Sequence, residues 1–256
     1  MTNSAPSHPF LSVVIPAYNE ARRLPLALKQ LREYFQRCGL SAEVIVVDDG
    51  SSDHTIEVAA RFEPGPMALV LLRNRINRGK GYSVRRGMRR ARGDVLLMSD
   101  ADQSTPIWQI EAFLPLLAEG CDVVIGSRDL AESDITEAQP WLRHLLGHLL
   151  RWLRRLMVLG DIKDTQCGFK AFTREAARRI FPRVRTDRFA FDVEALLLAR
   201  RLGYRIREVG VLWCNDPDSR VHPIRDPLEM LVSLLRILWR HRHVSAAAPA
   251  DPKARP

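Results

Sequence analysis

Over the first half of the chain, short runs of β-branched and aliphatic residues alternate with stretches of helical period. The runs Leu11–Ile15, Glu43–Asp48, Ala68–Leu72, Asp94–Met98 and Asp122–Ile125 predict strands. Between them, Arg23–Gln36, Asp53–Arg61, Lys80–Ala91 and Pro106–Ala118 carry apolar residues at helical spacing and predict helices. Stretches such as EVIVVD and DVLLMSD are apolar almost without interruption, the pattern of strands covered on both faces. The rhythm predicts an α/β fold with a mostly parallel central sheet flanked by helices. In such sheets ligands sit beyond the carboxyl ends of the strands, so the chemistry is sought directly after each run.

Past the fifth run the pattern is less regular and richer in arginine. Trp141–Val158 puts Leu142, Leu145, Leu149 and Leu153 on one helical face and Arg143, Arg151, Arg154 and Arg155 on the other. Pro227–His243 mixes Leu231, Leu234, Leu235, Leu238 and Trp239 with Arg236, Arg240 and Arg242. Both predict amphipathic helices with cationic sides, of the kind that lies in a membrane interface. Neither holds the ~20 mostly apolar residues of a spanning helix. Residues 10–243 are expected to form the ordered domain and residues 244–256 a disordered tail.

Composition narrows the partners. With 256 residues and 46% hydrophobic content the chain can bury a real core, which excludes a disordered or collagen-like protein. Cys38, Cys121, Cys167 and Cys214 lie far apart with no CxxC pair, which removes support for a zinc ribbon or a thioredoxin-type site and suits a reducing compartment. The N-terminus, MTNSAPSHPF, has no apolar run and does not read as a signal peptide. Lys plus Arg number 39 against 30 Asp plus Glu, a net charge of +9, which points to nucleic acid, an anionic membrane surface or a phosphorylated substrate.

The strand ends carry the candidate chemistry. The first run closes on Pro16-Ala17-Tyr18-Asn19-Glu20, the second on Asp48-Asp49-Gly50-Ser51-Ser52-Asp53, and the fourth on Asp100-Ala101-Asp102. Two carboxylates one residue apart at a strand end can both reach a divalent cation, and Mg²⁺ takes one or two carboxylates together with substrate phosphates. A capping turn ahead of Ser104-Thr105-Pro106 would use the same residues. Asp48 or Asp49 can accept hydrogen bonds from a nucleobase or ribose, whereas Asp53 reads as a helix cap. Residues 73–92 are strongly basic and contain no acid. Within them, Asn77-Arg78-Gly79-Lys80-Gly81 opens a helix where backbone amides and Lys80 can meet a phosphate. The spacing is not that of a Walker A loop. No series of aromatics interleaves with the basic run, so nucleic acid is not the expected partner.

PAYNE, VVDDGSSD, the Asn-Arg-Gly turn and DAD stand in order, followed by Gly126-Ser127-Arg128, the heptapeptide DTQCGFK from Asp164 to Lys170, and Phe191-Asp192-Val193-Glu194. Together they resemble the family 2 nucleotide-sugar glycosyltransferases of GT-A fold, over Phe10 to about His243. The later motifs are similar to those of the dolichyl-phosphate β-glucosyltransferases. Mannose-transferring relatives usually follow DAD with Leu-Gln-His-Pro; Gln103-Ser104-Thr105 is nearer the Gly-Ala-Thr of the glucosyl branch, with Gln103 as a departure.

The resemblance implies a Rossmann-like GT-A domain in which Pro16, Tyr18, Glu20 and Asp48 border the base and ribose. It implies that the Asp100-Ala101-Asp102 segment faces the donor diphosphate and a Mg²⁺ or Mn²⁺ held by Asp100 and Asp102. Arg128 is expected at phosphate, and Arg220 stands where relatives usually place a lysine near the donor phosphates. Asp102, Arg128, Asp192 and Glu194 are the candidate catalytic groups. The last two, on a short extended stretch or within a helix start, are expected to orient the sugar, with one of them facing the site. Arg143, on the cationic helix, is the candidate for the acceptor phosphate.

The expected reaction is inverting transfer of glucose from UDP-glucose to a dolichyl or undecaprenyl phosphate. Eukaryotic relatives usually begin with a membrane anchor; its absence here suggests a cytoplasmic enzyme held peripherally on the inner face of the cell membrane. A phosphate nucleophile, with a second pKa of ≈ 6, needs little help from a general base. The alternatives are a GDP-mannose donor, a soluble glycan acceptor, or a basic binding module with a degenerate site.

Overall fold

The computed structural model describes residues 8–128, 161–214 and 225–244. Its strands are β1 (Leu11–Ala17), β2 (Ala42–Asp48), β3 (Ala68–Arg73), β4 (Val95–Met98), β5 (Val123–Ser127), β6 (Lys170–Thr173) and β7 (Ile206–Gly210). Its helices are α1 (Leu24–Cys38), α2 (Thr55–Ala60), α3 (Lys80–Arg90), α4 (Leu114–Ala118), α5 (Arg174–Ile180), α6 (Phe191–Arg201) and α7 (Arg225–Arg240), with a 3₁₀ turn at Ile107–Ala112.

The sheet runs in the order β3-β2-β1-β4-β6-β5-β7. Every pairing is parallel except those of β6, which lies antiparallel between β4 and β5. Alternation along each strand explains the unbroken apolar runs. Val13, Ile15, Val44, Val46 and Leu97 pack toward α1, whereas Val14, Ile45, Val47, Leu96 and Met98 pack toward α3, α5 and α6. Both faces are covered, so neither set could be polar. From β1 the chain winds outward to β2 and β3, then returns to place β4 on the other side of β1. This reversal opens a crevice at the carboxyl ends of β1, β2 and β4.

The expected sheet is present, with two differences. The helix predicted over Pro106–Ala118 is a 3₁₀ turn followed by α4, because Pro115 lies in the first turn of α4 and cannot donate an i→i−4 bond to an earlier turn. Strands β6 and β7 were not anticipated. The amphipathic segment Trp141–Val158 and residues 245–256 lie outside the described residues, while Val244, the first residue of the expected tail, packs against the core on the α3, α5 and α6 side. The second amphipathic segment does form a helix: on α7, Leu234 and Ile237 are buried against Ala190, Val193 and Leu197.

Candidate active site

The crevice is built from loops that are tied to one another. After β1, Asn19 takes a left-handed backbone, φ 55°. Its Oδ1 accepts the Ser52 amide at 2.9 Å, and its own amide donates to Ser51 Oγ at 2.9 Å. Asp53 accepts the amides of Ala21 at 3.1 Å and Thr55 at 3.0 Å, which fastens the same two loops just ahead of α2, whose N-cap position is His54 and not Asp53 as expected. Tyr18 is exposed beside this clamp, and the Glu20 carboxylate is gripped by Arg23 at 2.6 and 2.7 Å. Pro16 precedes them in β1, opposite Val47 of β2. Asp48 is fully buried: Oδ1 accepts the Ser51 amide at 3.0 Å, while Oδ2 has no hydrogen-bond donor although Arg73 Nε lies 3.3 Å away. A buried acceptor lacking a donor at the crevice is the chemistry a ribose hydroxyl or a base N–H would satisfy.

At the end of β4 the chain turns through Asp100-Ala101-Asp102 over the buried Ala101, with Gln103 left-handed at φ 52°. Gln103 Nε2 donates to Ser99 Oγ and to the Asp100 carbonyl, each at 3.0 Å, locking the turn from beneath. Asp102 is exposed, and its Oδ1 accepts the Ser104 amide at 2.9 Å. Lys80, the first residue of α3, sets its Nζ 2.6 Å from Asp100 Oδ1. Burial presses the Asp100 carboxyl upward, but the Lys80 ammonium and its hydrogen bond, with Lys170 and Arg128, hold it below the usual range. Burial likewise opposes the Lys80 charge, yet Asp100, Asp192 and Asp102 outweigh it and raise its pKa.

The DTQCGFK segment forms the facing wall. A Cβ on Gly168 would lie 2.0 Å from Asp100 Oδ2, so the carboxylate rests directly on this backbone. Asp164, buried, grips Arg128 through Nε at 2.7 Å and Nη2 at 3.1 Å, and also accepts its amide at 3.1 Å. Burial works against this carboxylate, but Arg128 holds it well below the usual range. The guanidinium, partly exposed, lies over Trp213 at 5.5 Å from the ring centroid. Lys170 is buried with Nζ 2.7 Å from Asp192 Oδ1, and it donates to the Cys167 carbonyl. Burial pushes Asp192 up in spite of Lys170 and Lys80. Lys80, Asp100, Lys170 and Asp192 thus alternate in sign around the end of β4.

Two predicted site residues point elsewhere. Asp49 uses both carboxylate oxygens internally: Oδ1 accepts Asn74 Nδ2 at 2.7 Å and the Arg78 amide at 3.0 Å, and Oδ2 accepts the Gly79 amide at 2.7 Å. The amides that the sequence offered to a phosphate therefore already hold an anion, and Asp49 acts as the strut of that loop. Asp192 and Glu194 open α6, where two residues of separation turn side chains about 200° apart. Asp192 faces the crevice, and Glu194 faces away. Glu194 accepts the amides of Arg185 at 2.9 Å and Thr186 at 2.6 Å, and meets His241 Nε2 at 2.6 Å. Burial opposes its ionisation, but these bonds, His241 foremost, pull its pKa down to about 2. Arg143 and Arg220 lie outside the described residues. Sequence reasoning missed the separate work of Asn19, Asp164, Gly168 and Lys170. A lysine interrupting the apolar run Phe169–Phe172 was the one available signal of a buried ion pair.

Among the described residues no group of three or more His, Cys, Asp or Glu side chains converges. The donor set at Asp100 and Asp102 still suits a hard divalent cation, because two carboxylates leave the remaining positions to water and phosphate oxygens.

Residues 12–181 match the family described as Glycosyl transferase family 2. A dolichyl-phosphate beta-glucosyltransferase of Dictyostelium discoideum is 39% identical over 244 residues, covering 91% of this chain and 75% of that protein. A mannosyltransferase of Pyrobaculum calidifontis, solved with GDP-Man and Mn²⁺, superposes with a TM-score of 0.66 at 24% identity, over 93% of this chain and 66% of its own. Glucosyl-3-phosphoglycerate synthase of Mycobacterium tuberculosis, solved with Mn²⁺, UDP and glucosyl-3-phosphoglycerate, gives a TM-score of 0.64 at 20% identity, over 92% and 81% of the two chains. These two structures establish the GT-A fold and carry different bases, so the fold leaves the base open.

Proposed function

The chain belongs to glycosyl transferase family 2, and on that footing we propose that it moves glucose from UDP-glucose to a polyprenyl phosphate, with inversion, at a membrane surface. The observation that carries the acceptor class is the 2.7 Å pair between Lys170 and Asp192. A hydroxyl acceptor needs a carboxylate free to take its proton. Here Asp192 is engaged by an ammonium and Glu194 is turned away, which favours a nucleophile already ionised at neutral pH, as a phosphate monoester is. The glucose and lipid assignments draw on the dolichyl-phosphate beta-glucosyltransferase relative.

Asp48, with Pro16, Tyr18 and Glu20, borders the base and ribose. Asp100 and Asp102 would hold a divalent cation, whose chemistry is to neutralise charge on the departing diphosphate. Lys80 carries charge to the same diphosphate once the donor draws it from Asp100. Arg128, kept in place by Asp164, meets phosphate as a planar fork. An acceptor oxygen forms the new bond to the anomeric carbon as the bond to the diphosphate breaks, and UDP leaves with that electron pair. Placing two anions together is the main difficulty, and preorganised cations address it. Arg143 and Arg220 are assigned to acceptor and donor phosphate respectively.

Among the described residues no helix is long and apolar enough to cross a membrane. On α7, Val232, Leu235 and Trp239 are exposed at helical spacing. Arg236 lies beside them, and Arg242 stacks on Trp239 at 4.8 Å from the ring centroid. An apolar stripe edged with arginine supports contact with an anionic bilayer, taken here as the inner face of the cell membrane.

The test supplies the purified chain with labelled UDP-glucose or GDP-mannose, Mg²⁺ and undecaprenyl phosphate in liposomes, followed by solvent extraction. Labelled lipid from UDP-glucose alone is expected. Label from GDP-mannose alone reassigns the donor, and none from either overturns the proposal.

A further inference from the structure

Glu194 sits where a charge is expensive, fully buried, and outside the crevice. Its partners fall into two groups. On one side His241 Nε2 lies at 2.6 Å and Arg240 Nη1 at 3.3 Å, both at the C-terminal end of α7. On the other, Oε2 takes the amides of Arg185 and Thr186.

That second segment leads to the donor site. The Asp187 carbonyl accepts the Tyr82 amide at 3.1 Å, and its carboxylate accepts Arg85 Nη2 at 2.7 Å, both on α3. The approach is backbone against backbone. A Cβ on Gly79 would lie 2.4 Å from the Asp187 carbonyl oxygen, and one on Gly81 would lie 2.5 Å from that of Thr186. Lys80 stands between these two glycines. Its position at Asp100 therefore depends on where residues 185–187 lie, and Glu194 fixes them.

We infer that Glu194 is a positioning residue: it anchors the 185–187 segment against the start of α3, sets Lys80 at the donor diphosphate, and fastens the end of α7 to the same point. The inference rests on Lys80 serving the donor diphosphate, as proposed above. Because the same residue fastens α7, which is assigned to the bilayer that carries the acceptor, the anchor's effect on the donor site is read as UDP binding in the absence of lipid.

The test uses the full chain as wild type, Glu194→Ala, Glu194→Gln and His241→Ala. Binding of UDP with Mg²⁺ is followed by calorimetry, KM is measured for donor and acceptor separately, and folding is checked by circular dichroism. Displacing Lys80 by a fraction of an ångström to about 1 Å predicts about tenfold weaker UDP binding without lipid and a matching rise in donor KM for Glu194→Ala, with KM unchanged for a short-chain polyprenyl phosphate supplied in solution, which needs no bilayer contact. Glu194→Gln keeps an acceptor for the amides and is expected to restore most of that loss. A merely structural role would lower the melting temperature without separating the two KM values. A folded Glu194→Ala protein with wild-type donor KM overturns the inference. Should that variant not fold, His241→Ala decides: donor binding about threefold weaker supports the anchor, and unchanged binding overturns it. Wild type that fails to bind UDP overturns the donor-site reading itself, a result distinct from equal binding by wild type and variant.

Discussion

Replacing Gly168 by alanine tests the wall between the DTQCGFK segment and the Asp100-Ala101-Asp102 turn with a single methyl group. Gly168 does not lie at positive φ, so alanine meets no backbone strain. The added carbon would stand 2.0 Å from Asp100 Oδ2 and 2.5 Å from Asp100 Cγ, whereas real Cβ contacts essentially never fall under 3.0 Å. The carboxylate and the loop must therefore separate by about 1 Å. Asp100 cannot absorb this unnoticed, since Lys80 holds its other oxygen at 2.6 Å. A misplacement of about 1 Å in a reacting constellation costs ~10²-fold in rate, or about 2.7 kcal/mol of transition-state stabilisation. Overpacking of this kind lowers stability by about 1–3 kcal/mol, so the protein is expected to fold. The assay is the initial rate of sugar transfer together with Mn²⁺-dependent UDP binding, each per folded molecule by thermal melt. If the methyl acts through Asp100, adding Gly168→Ala to Asp100→Ala costs nothing further. Wild-type rate and UDP binding in a folded Gly168→Ala protein refute the reasoning.

Three further outcomes are expected. Asp102→Asn reduces transfer at least ~10²-fold by removing a carboxylate from the cation site, while the melting temperature stays put because the side chain is exposed; normal turnover would remove its assigned role. Arg128→Lys leaves the buried Asp164 with one ammonium in place of a bidentate fork, so chemical denaturation should show a loss of about 1–3 kcal/mol alongside weaker donor binding. Glu194 binds its proton more weakly folded, at about 2, than at its ordinary 4.5. Its stabilisation is then complete above pH 4.5 and lost as the pH falls toward 2. That amounts to about 3 kcal/mol, read as a urea midpoint that drops across this window in wild type and far less in Glu194→Gln.

The first five strands were legible because apolar side chains pack on both faces and leave an apolar letter at nearly every position, even in the partly buried edge strand β3. Strand β6 was not, since it is four residues long and one of them, Lys170, is charged. At the sheet edge, β7 carries Arg207 and Glu208 and gives no apolar run. Position at a strand end singled out Asp48, Asp100 and Asp102 as candidates. It could not tell Asp48 from Asp49, because the donors that claim Asp49 come from Asn74, Arg78 and Gly79, well along the chain. The same holds for Glu194, whose strongest partner, His241, is 47 residues away. A carboxylate's role is set by what approaches it in space, and composition and period carry little of that.

Three carboxyls at the crevice, Asp100, Asp164 and Asp192, and Glu194 behind it make the same argument from energetics. Burial presses all of them upward, yet Asp100, Asp164 and Glu194 end below their ordinary values and Asp192 above. The difference lies in the donors. Asp164 has a guanidinium fork and backbone amides, Glu194 has two amides and an imidazole, and Asp100 has Lys80. Asp192 has Lys170, whose ammonium also serves the Cys167 carbonyl, and it feels the charge of Asp100. A raised pKa is what a general base requires, but here it comes with an ion pair that must break before a proton can be taken, in a site where an uncompensated buried ammonium would cost several kcal/mol. An acceptor that arrives as an anion avoids that cost, and one that arrives as a hydroxyl does not.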